Sequence, residues 1–170
     1  MKSAPRSDTL SWRKSFRKSE PSGKIGLLLS AGLGVGLVPW APGTVASAAA
    51  LPLAFGMSRL GLFGQTVFLA VSILLATWAC DRAWRTARED DPPWVVIDEV
   101  AGLLLTFYVV RPTGALELVL GFALFRLLDI WKPGPIRRME RLPGAKGIMM
   151  DDLLAGAIAN LCLQGVHLMI

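Results

Sequence analysis

Five carboxylates stand where carboxylates are costly. Asp98 and Glu99 interrupt VVIDEVAG, Asp129 interrupts FRLLDIW, and Asp151 and Asp152 interrupt GIMMDDLLAG. An acid among such neighbours has to be paired, protonated or bound to a cation. If the five share one face, they repel each other unless a cation sits among them. Hard oxygen ligands at uneven spacing suit Mg²⁺ better than zinc, and Mg²⁺ commonly bridges to a substrate phosphate. Arg126, Lys132 and Arg137 or Arg138 lie nearby in sequence and suit a phosphate dianion. Acids, a hard cation and basic groups together point to phosphoryl transfer or phosphoester hydrolysis. Taken singly, the same residues have plainer readings. Arg126 and Asp129 are three apart and can form an ordinary intrahelical ion pair. Asp151 and Asp152 can simply complement a helix dipole.

Other phosphatase chemistries lack their residues. Neither cysteine heads a Cys-x5-Arg loop, because Cys80 is followed at that spacing by Thr86 and Cys162 by Leu168. Both cysteines lie in apolar segments and read as small buried hydrophobes. The single histidine, His167, falls near the end of an apolar run. No Walker loop appears, and the glycines at 32, 34 and 36 lack the strand–turn–helix setting of a nucleotide fingerprint. Close packing of a short segment explains them better. A metal-activated water is the simplest nucleophile left, with an aspartyl-phosphate intermediate as the alternative.

The elements that must carry these groups are helical. Residues 1–24 are polar and basic without a useful apolar stripe, and read as a mobile tail before a single domain over 25–170. Ile25 to Val38, fourteen residues long, is short for a membrane span and reads as an interfacial or re-entrant segment. Pro42-Gly43 marks a turn, and Thr44 is placed to N-cap the next helix, whose free N–H groups can meet an anion. Leu60 to Cys80 carries no charge over 21 residues. At about 1.5 Å per residue it matches a hydrocarbon core of about 30 Å. Asp91-Pro92-Pro93 reads as the start of a helix through WVVIDEVAGLLLTFYVV, in which Gly102 allows close approach one turn beyond Asp98. Ala115 to Trp131 forms the next helix, Pro135 to Arg141 a short basic one, and Leu142 to Met149 a loop. Asp151-Asp152 then opens the last helix, Leu153 to Ile170.

Successive helices that alternate across a bilayer bring Asp98 and Glu99, Asp129, and Asp151 and Asp152 to one face. Of 18 Lys and Arg, only Arg59 and Arg111 fall on the other side, so the acid face is expected to be cytoplasmic. Composition agrees with a membrane setting: 53% hydrophobic, 18% charged, mean hydropathy +0.50. The expected fold is an all-α, multi-helix membrane bundle with a short interfacial or re-entrant N-terminal segment. The net charge of +5 suits anionic lipid or an anionic substrate. No basic patch interleaved with aromatics suggests nucleic acid. Two rivals stand beside the membrane phosphatase. A transporter with an acidic relay would carry its acids mid-helix, whereas these lie near helix ends. A soluble hydrolase of a small phosphorylated metabolite would stay in solution without detergent.

The PGT-x-x-S of Pro42 to Ser47, the DP…VVIDEVAG of Asp91 to Gly102 and the FRLLDIWKPGPIRRMER…GIMMDDLLAG of Phe125 to Gly156 resemble the bacterial phosphatidylglycerophosphatase A family. The resemblance runs from about Gly32 to the C-terminus, and the long third string is highly specific. It implies an all-helical enzyme of the bacterial inner membrane, multi-pass, with its site on the cytoplasmic face. The implied reaction is Mg²⁺-dependent conversion of phosphatidylglycerophosphate to phosphatidylglycerol and phosphate. It carries Asp98, Glu99, Asp129, Asp151 and Asp152 over as catalytic residues. Asp98, Asp129, Asp151 and Asp152 are the metal ligands among them, and Glu99 is a base or a support for Arg126. Thr44, Arg126 and Lys132 carry over as phosphate contacts, beside Arg137. One departure is visible: Gly144-Ala145-Lys146-Gly147 stands where relatives often have paired glycines, and Lys146 adds a cation.

Overall fold

The computed structural model describes residues 7–87 and 92–167, which are all-helical with no strand among them. The helices are α1 (Ser7–Lys18), α2 (Pro21–Ser30), α3 (Pro42–Ser58), α4 (Leu62–Ala87), α5 (Ile97–Thr106), α6 (Ala115–Trp131), α7 (Gly134–Glu140) and α8 (Ala145–His167), with a 3-10 stretch over Gly32–Leu37. Asp91, expected to open a helix, and the last three residues of the final expected helix lie outside the described residues.

Two helices make the centre. α5 is only ten residues long, about 15 Å, and most of it is buried. A helix apolar on all sides belongs in the middle of a bundle. It crosses α8 at Gly102 and Gly156. A Cβ on Gly156 would stand 2.2 Å from the Gly102 carbonyl oxygen, so the two backbones touch. Thr106 and Asn160 extend the seam: Asn160 Nδ2 donates to the Thr106 carbonyl at 2.9 Å and the Tyr108 carbonyl at 2.7 Å. Small residues and interhelical hydrogen bonds are what hold helices together when apolar side chains alone give no preference. Around this pair, Met57, Leu69, Leu103, Phe107, Phe125 and Leu163 fill one core. A second core forms from Leu27, Ala76, Cys80, Trp94, Ile148 and Met149.

Several expected boundaries move. The helix expected from Pro92 begins at Ile97, because Pro92 to Val96 is a turn whose Val96 N–H bonds the Ser30 carbonyl. That turn lies against Gly36, where a Cβ would stand 2.1 Å from the Trp94 carbonyl oxygen. Residues 145–149, expected as loop, already belong to α8. Gly144 takes the left-handed conformation at φ +67, so Ala145 is free to start the helix and Asp151 and Asp152 sit in its second turn rather than opening it. The polar N-terminal stretch contains α1, where no helix was expected. Trp12 and Phe16, one turn apart, stack at 4.9 Å and pack on the second core. Trp12 Nε1 donates to the Leu27 carbonyl at 3.4 Å.

α4 is the one helix among the described residues long and apolar enough to cross a membrane, with mean hydropathy 1.8 over its most apolar window. Only 22% of that window is buried, so its apolar surface faces outward, unlike the core helix of a soluble protein. Phe63 and Leu74 on α4, and Leu116, Ile130 and Trp131 on α6, are also exposed.

Candidate functional site

All five acids reach one place. A cavity of about 270 Å³ is lined by Asp98, Glu99, Asp129, Asp151 and Asp152, together with Arg126 and Lys132. Three helices deliver them: the first turn of α5, the last turn of α6 with its C-cap, and the second turn of α8. The four aspartates are each 7% exposed or less. The α5–α8 crossing fixes their spacing, since Asp98 and Asp152 each lie one turn before the touching glycines.

Two cations hold the acids apart and in place. Arg126 Nη1 donates to Asp129 Oδ2 at 2.6 Å and to Glu99 Oε1 at 3.0 Å. Lys132 Nζ donates to Asp151 Oδ2 at 2.7 Å and to Glu140 Oε1 at 2.8 Å. Of the two roles open to Glu99, the observed contact is the support of Arg126. Glu140 was not foreseen as part of the site. Its only sequence signal is its place, at the end of the short helix that follows Lys132. Arg126 and Asp129 do form the plain intrahelical pair, but Glu99 joins it from another helix.

The electrostatics follow from burial at the polar end of the bundle, outside the apolar segments. Burial pulls the Lys132 ammonium down, but its hydrogen bonds to Asp151 and Glu140 outweigh that and hold it above its usual range. Burial pushes the Asp151 carboxyl up, and Lys132 offsets part of the rise. Asp152 is pushed well above the usual carboxylate range, first by burial and then by Asp98 and Asp129 beside it.

Backbone strain is part of the site, although Leu33 (φ 56) and Val109 (φ 66) show it elsewhere. Ala41 (φ 44, ψ 57) and Lys132 (φ 46, ψ 62) are non-glycine residues in the left-handed region, and both line the cavity. Such conformations cost about 1–3 kcal/mol each and cluster at functional sites. Ala41, not Thr44, is the N-cap of α3. Pro42 fixes the first turn, which places Thr44 inside the helix and away from the cavity lining. Gly43 takes the expected place of Thr44. A Cβ on it would stand 1.5 Å from Glu99 Oε1, so only glycine lets the start of α3 close over that carboxylate. Arg137, on α7, is exposed and does not line the cavity, and Arg138 is exposed beside it.

The donor set suits a hard divalent cation in one respect. Asp151 Oδ1 and Asp152 Oδ2 are buried without any hydrogen-bond partner, and orphaned anionic oxygens of this kind need a cation or a proton. Among the described residues, no three Asp, Glu, His or Cys side chains are gathered into a ready-made metal cage. Arg126 and Lys132 occupy oxygens that an ion would otherwise use.

Residues 28–167 match the sequence profile of the family described as Phosphatidylglycerophosphatase A. Phosphatidylglycerophosphatase A of Escherichia coli is 35% identical over 133 residues, covering 78% of this chain and 77% of that protein. The protein of the same name in Haemophilus influenzae is 36% identical over 159 residues, covering 88% of this chain and 96% of the other. A Bacteroides thetaiotaomicron protein with the provisional name phosphatidylinositol-3-phosphatase is 36% identical over 137 residues, covering 76% and 86%. No solved structure matches. With the profile covering most of its length and its acid strings meeting in one cavity, the chain belongs to the phosphatidylglycerophosphatase A family.

Proposed function

We propose that the chain hydrolyses the terminal phosphomonoester of phosphatidylglycerophosphate, giving phosphatidylglycerol and inorganic phosphate. The observation that carries this reading is the meeting of five acids and two cations in one buried cavity, in a chain of this family. Water's oxygen bonds to phosphorus, the P–O bond to glycerol breaks, and the proton balance leaves a glycerol hydroxyl. Arg126 and Lys132 bind the phosphate oxygens as they exchange carboxylate contacts for phosphate contacts. Glu99, closed over by Gly43, keeps the Arg126 guanidinium aimed into the cavity. Asp98, Asp151 and Asp152, with Asp129, would hold Mg²⁺. When bound, the ion neutralises developing negative charge on the phosphoryl oxygens and lowers the pKa of water. The buried lining limits water to the reacting molecule.

The membrane setting belongs to the same proposal. α4 passes through the inner membrane, and the outward apolar faces of α4 and α6 meet lipid. The cavity opens on the cytoplasmic side. Arg59, which bonds the Pro112 carbonyl, and Arg111 mark the far end, and the other described cations lie at the cavity end, in keeping with the positive-inside bias. The acyl chains stay in the bilayer while the headgroup enters the cavity.

The test is phosphate release from phosphatidylglycerophosphate by purified protein, with and without EDTA. Release that stops with EDTA and returns with Mg²⁺ is the expected result, and release indifferent to EDTA removes the metal. Asp129→Asn should abolish turnover while membrane insertion persists. The Bacteroides relative motivates a parallel assay on phosphatidylinositol 3-phosphate, and faster release from it would reassign the headgroup.

A further inference from the structure

α1 lies outside the stretch that matches the family, and it builds a groove of its own. Between α1 and the last turns of α4 is a cavity of about 520 Å³ lined by Lys14, Lys18 and Arg85 and by Ser11, Ser15 and Thr86. None of these residues lines the acid cavity. Three cations facing one space are the donors that a phosphate needs, while Thr86 Oγ1 donates to the Arg82 carbonyl at 2.7 Å.

Among the described residues, the two lysines have no balancing acid. Arg85 Nε donates to Asp81 Oδ2 at 2.7 Å, an exposed pair. Lys14 and Lys18 form no ion pair among the described residues. They are one helical turn apart, where like charges repel, and an anion between them removes that cost. The groove is also built, not incidental. Trp12 and Phe16 pin the opposite side of α1 to the second core, and Ser15 at the floor is buried.

Position selects the anion. The charge-free run of α4 ends at Cys80, and Arg85 and Thr86 follow within two turns. With α4 crossing the membrane, the groove falls in the layer of lipid phosphates. We propose that this groove binds the phosphate of an anionic phospholipid headgroup, separately from the catalytic cavity.

The test uses the full chain in detergent, titrated with short-chain phosphatidylglycerol and, in a second arm, with inorganic phosphate. Adducts are read by native mass spectrometry. Because the acid cavity can also take such a lipid, the difference between variants isolates the groove. Lys14→Gln with Lys18→Gln should weaken one lipid-binding event about 10-fold. Arg13→Gln with Arg17→Gln removes the same charge from the same helix without touching this groove and should leave that event within about 2-fold. Gln keeps the helix, and unchanged phosphate release by both pairs would verify the fold. Equal weakening by the two pairs would reduce the groove to diffuse attraction and overturn the proposal. So would phosphate binding as tightly as the lipid, or the absence of any adduct sensitive to Lys14 and Lys18. A failed phosphatase assay would leave the binding result intact, so the two readings fail separately.

Discussion

Arg126 and Lys132 each bridge two carboxylates, whereas Lys14 and Lys18 bridge none among the described residues. The buried pair is fully engaged before any ligand arrives. Its work is to hold acids that would otherwise push apart, and a phosphate must compete for it. The surface pair forms no ion pair among the described residues and repels itself, so an arriving anion competes with none of the described acids. Engagement makes the first pair selective and geometrically fixed, and the lack of it makes the second pair attractive but permissive.

That contrast can be tested from its strongest side down. Arg126→Gln removes a cation that holds Glu99 and Asp129 and that we propose meets the phosphate. Phosphate release should fall about 10²- to 10³-fold, the usual cost of losing one preorganised donor. A loss under tenfold would mean that the bridging cation is only structural. Gly156→Val forces the α5–α8 seam open and should destabilise the chain by about 1–3 kcal/mol, read as a lower thermal midpoint in detergent. An unchanged midpoint would show that the acids do not depend on that crossing. Raising ionic strength to about 1 M shortens the screening length to about 3 Å and should weaken lipid binding at Lys14 and Lys18 severalfold. Equal salt sensitivity of the buried cations, read from the KM for phosphate release, would erase the distinction. The smallest change is expected from Glu140→Gln. Glu140 is 45% exposed at the outer end of the Lys132 bridge, so stability should shift by no more than about 1 kcal/mol. A larger drop would place Glu140 with the buried set.

The buried half of this comparison was legible in the sequence because charge in an apolar helix is conspicuous. Asp98, Glu99, Arg126, Asp129, Lys132, Asp151 and Asp152 all stand out for that reason, and all line the cavity. Proximity in sequence was a weaker guide. Arg137 is close to Lys132 along the chain, yet α7 turns it outward, and Thr44 gives way to Gly43 because Pro42 starts the helix two residues earlier. Contributions made by backbone leave no side-chain signal. Neither the left-handed Ala41 nor the turn at 92–96 could be read from residue type. α1 was missed because Trp12 and Phe16 are a single pair of apolar residues among polar ones, too few to show a helical period until α2 and α4 provide the surface they cover.

The contact between Gly102 and Gly156 bears on how inherited changes in this chain are to be interpreted. Neither residue lines the cavity, and a survey of variants by distance from the acids would pass over both. Yet each sits one turn from an acid, at the pivot where two helices touch without side chains between them. An alanine at either position acts like a wedge at the joint of a pair of tongs, and the tips, Asp98 and Asp152, move with it. Substitutions at these two glycines therefore rank with those that displace the acids themselves.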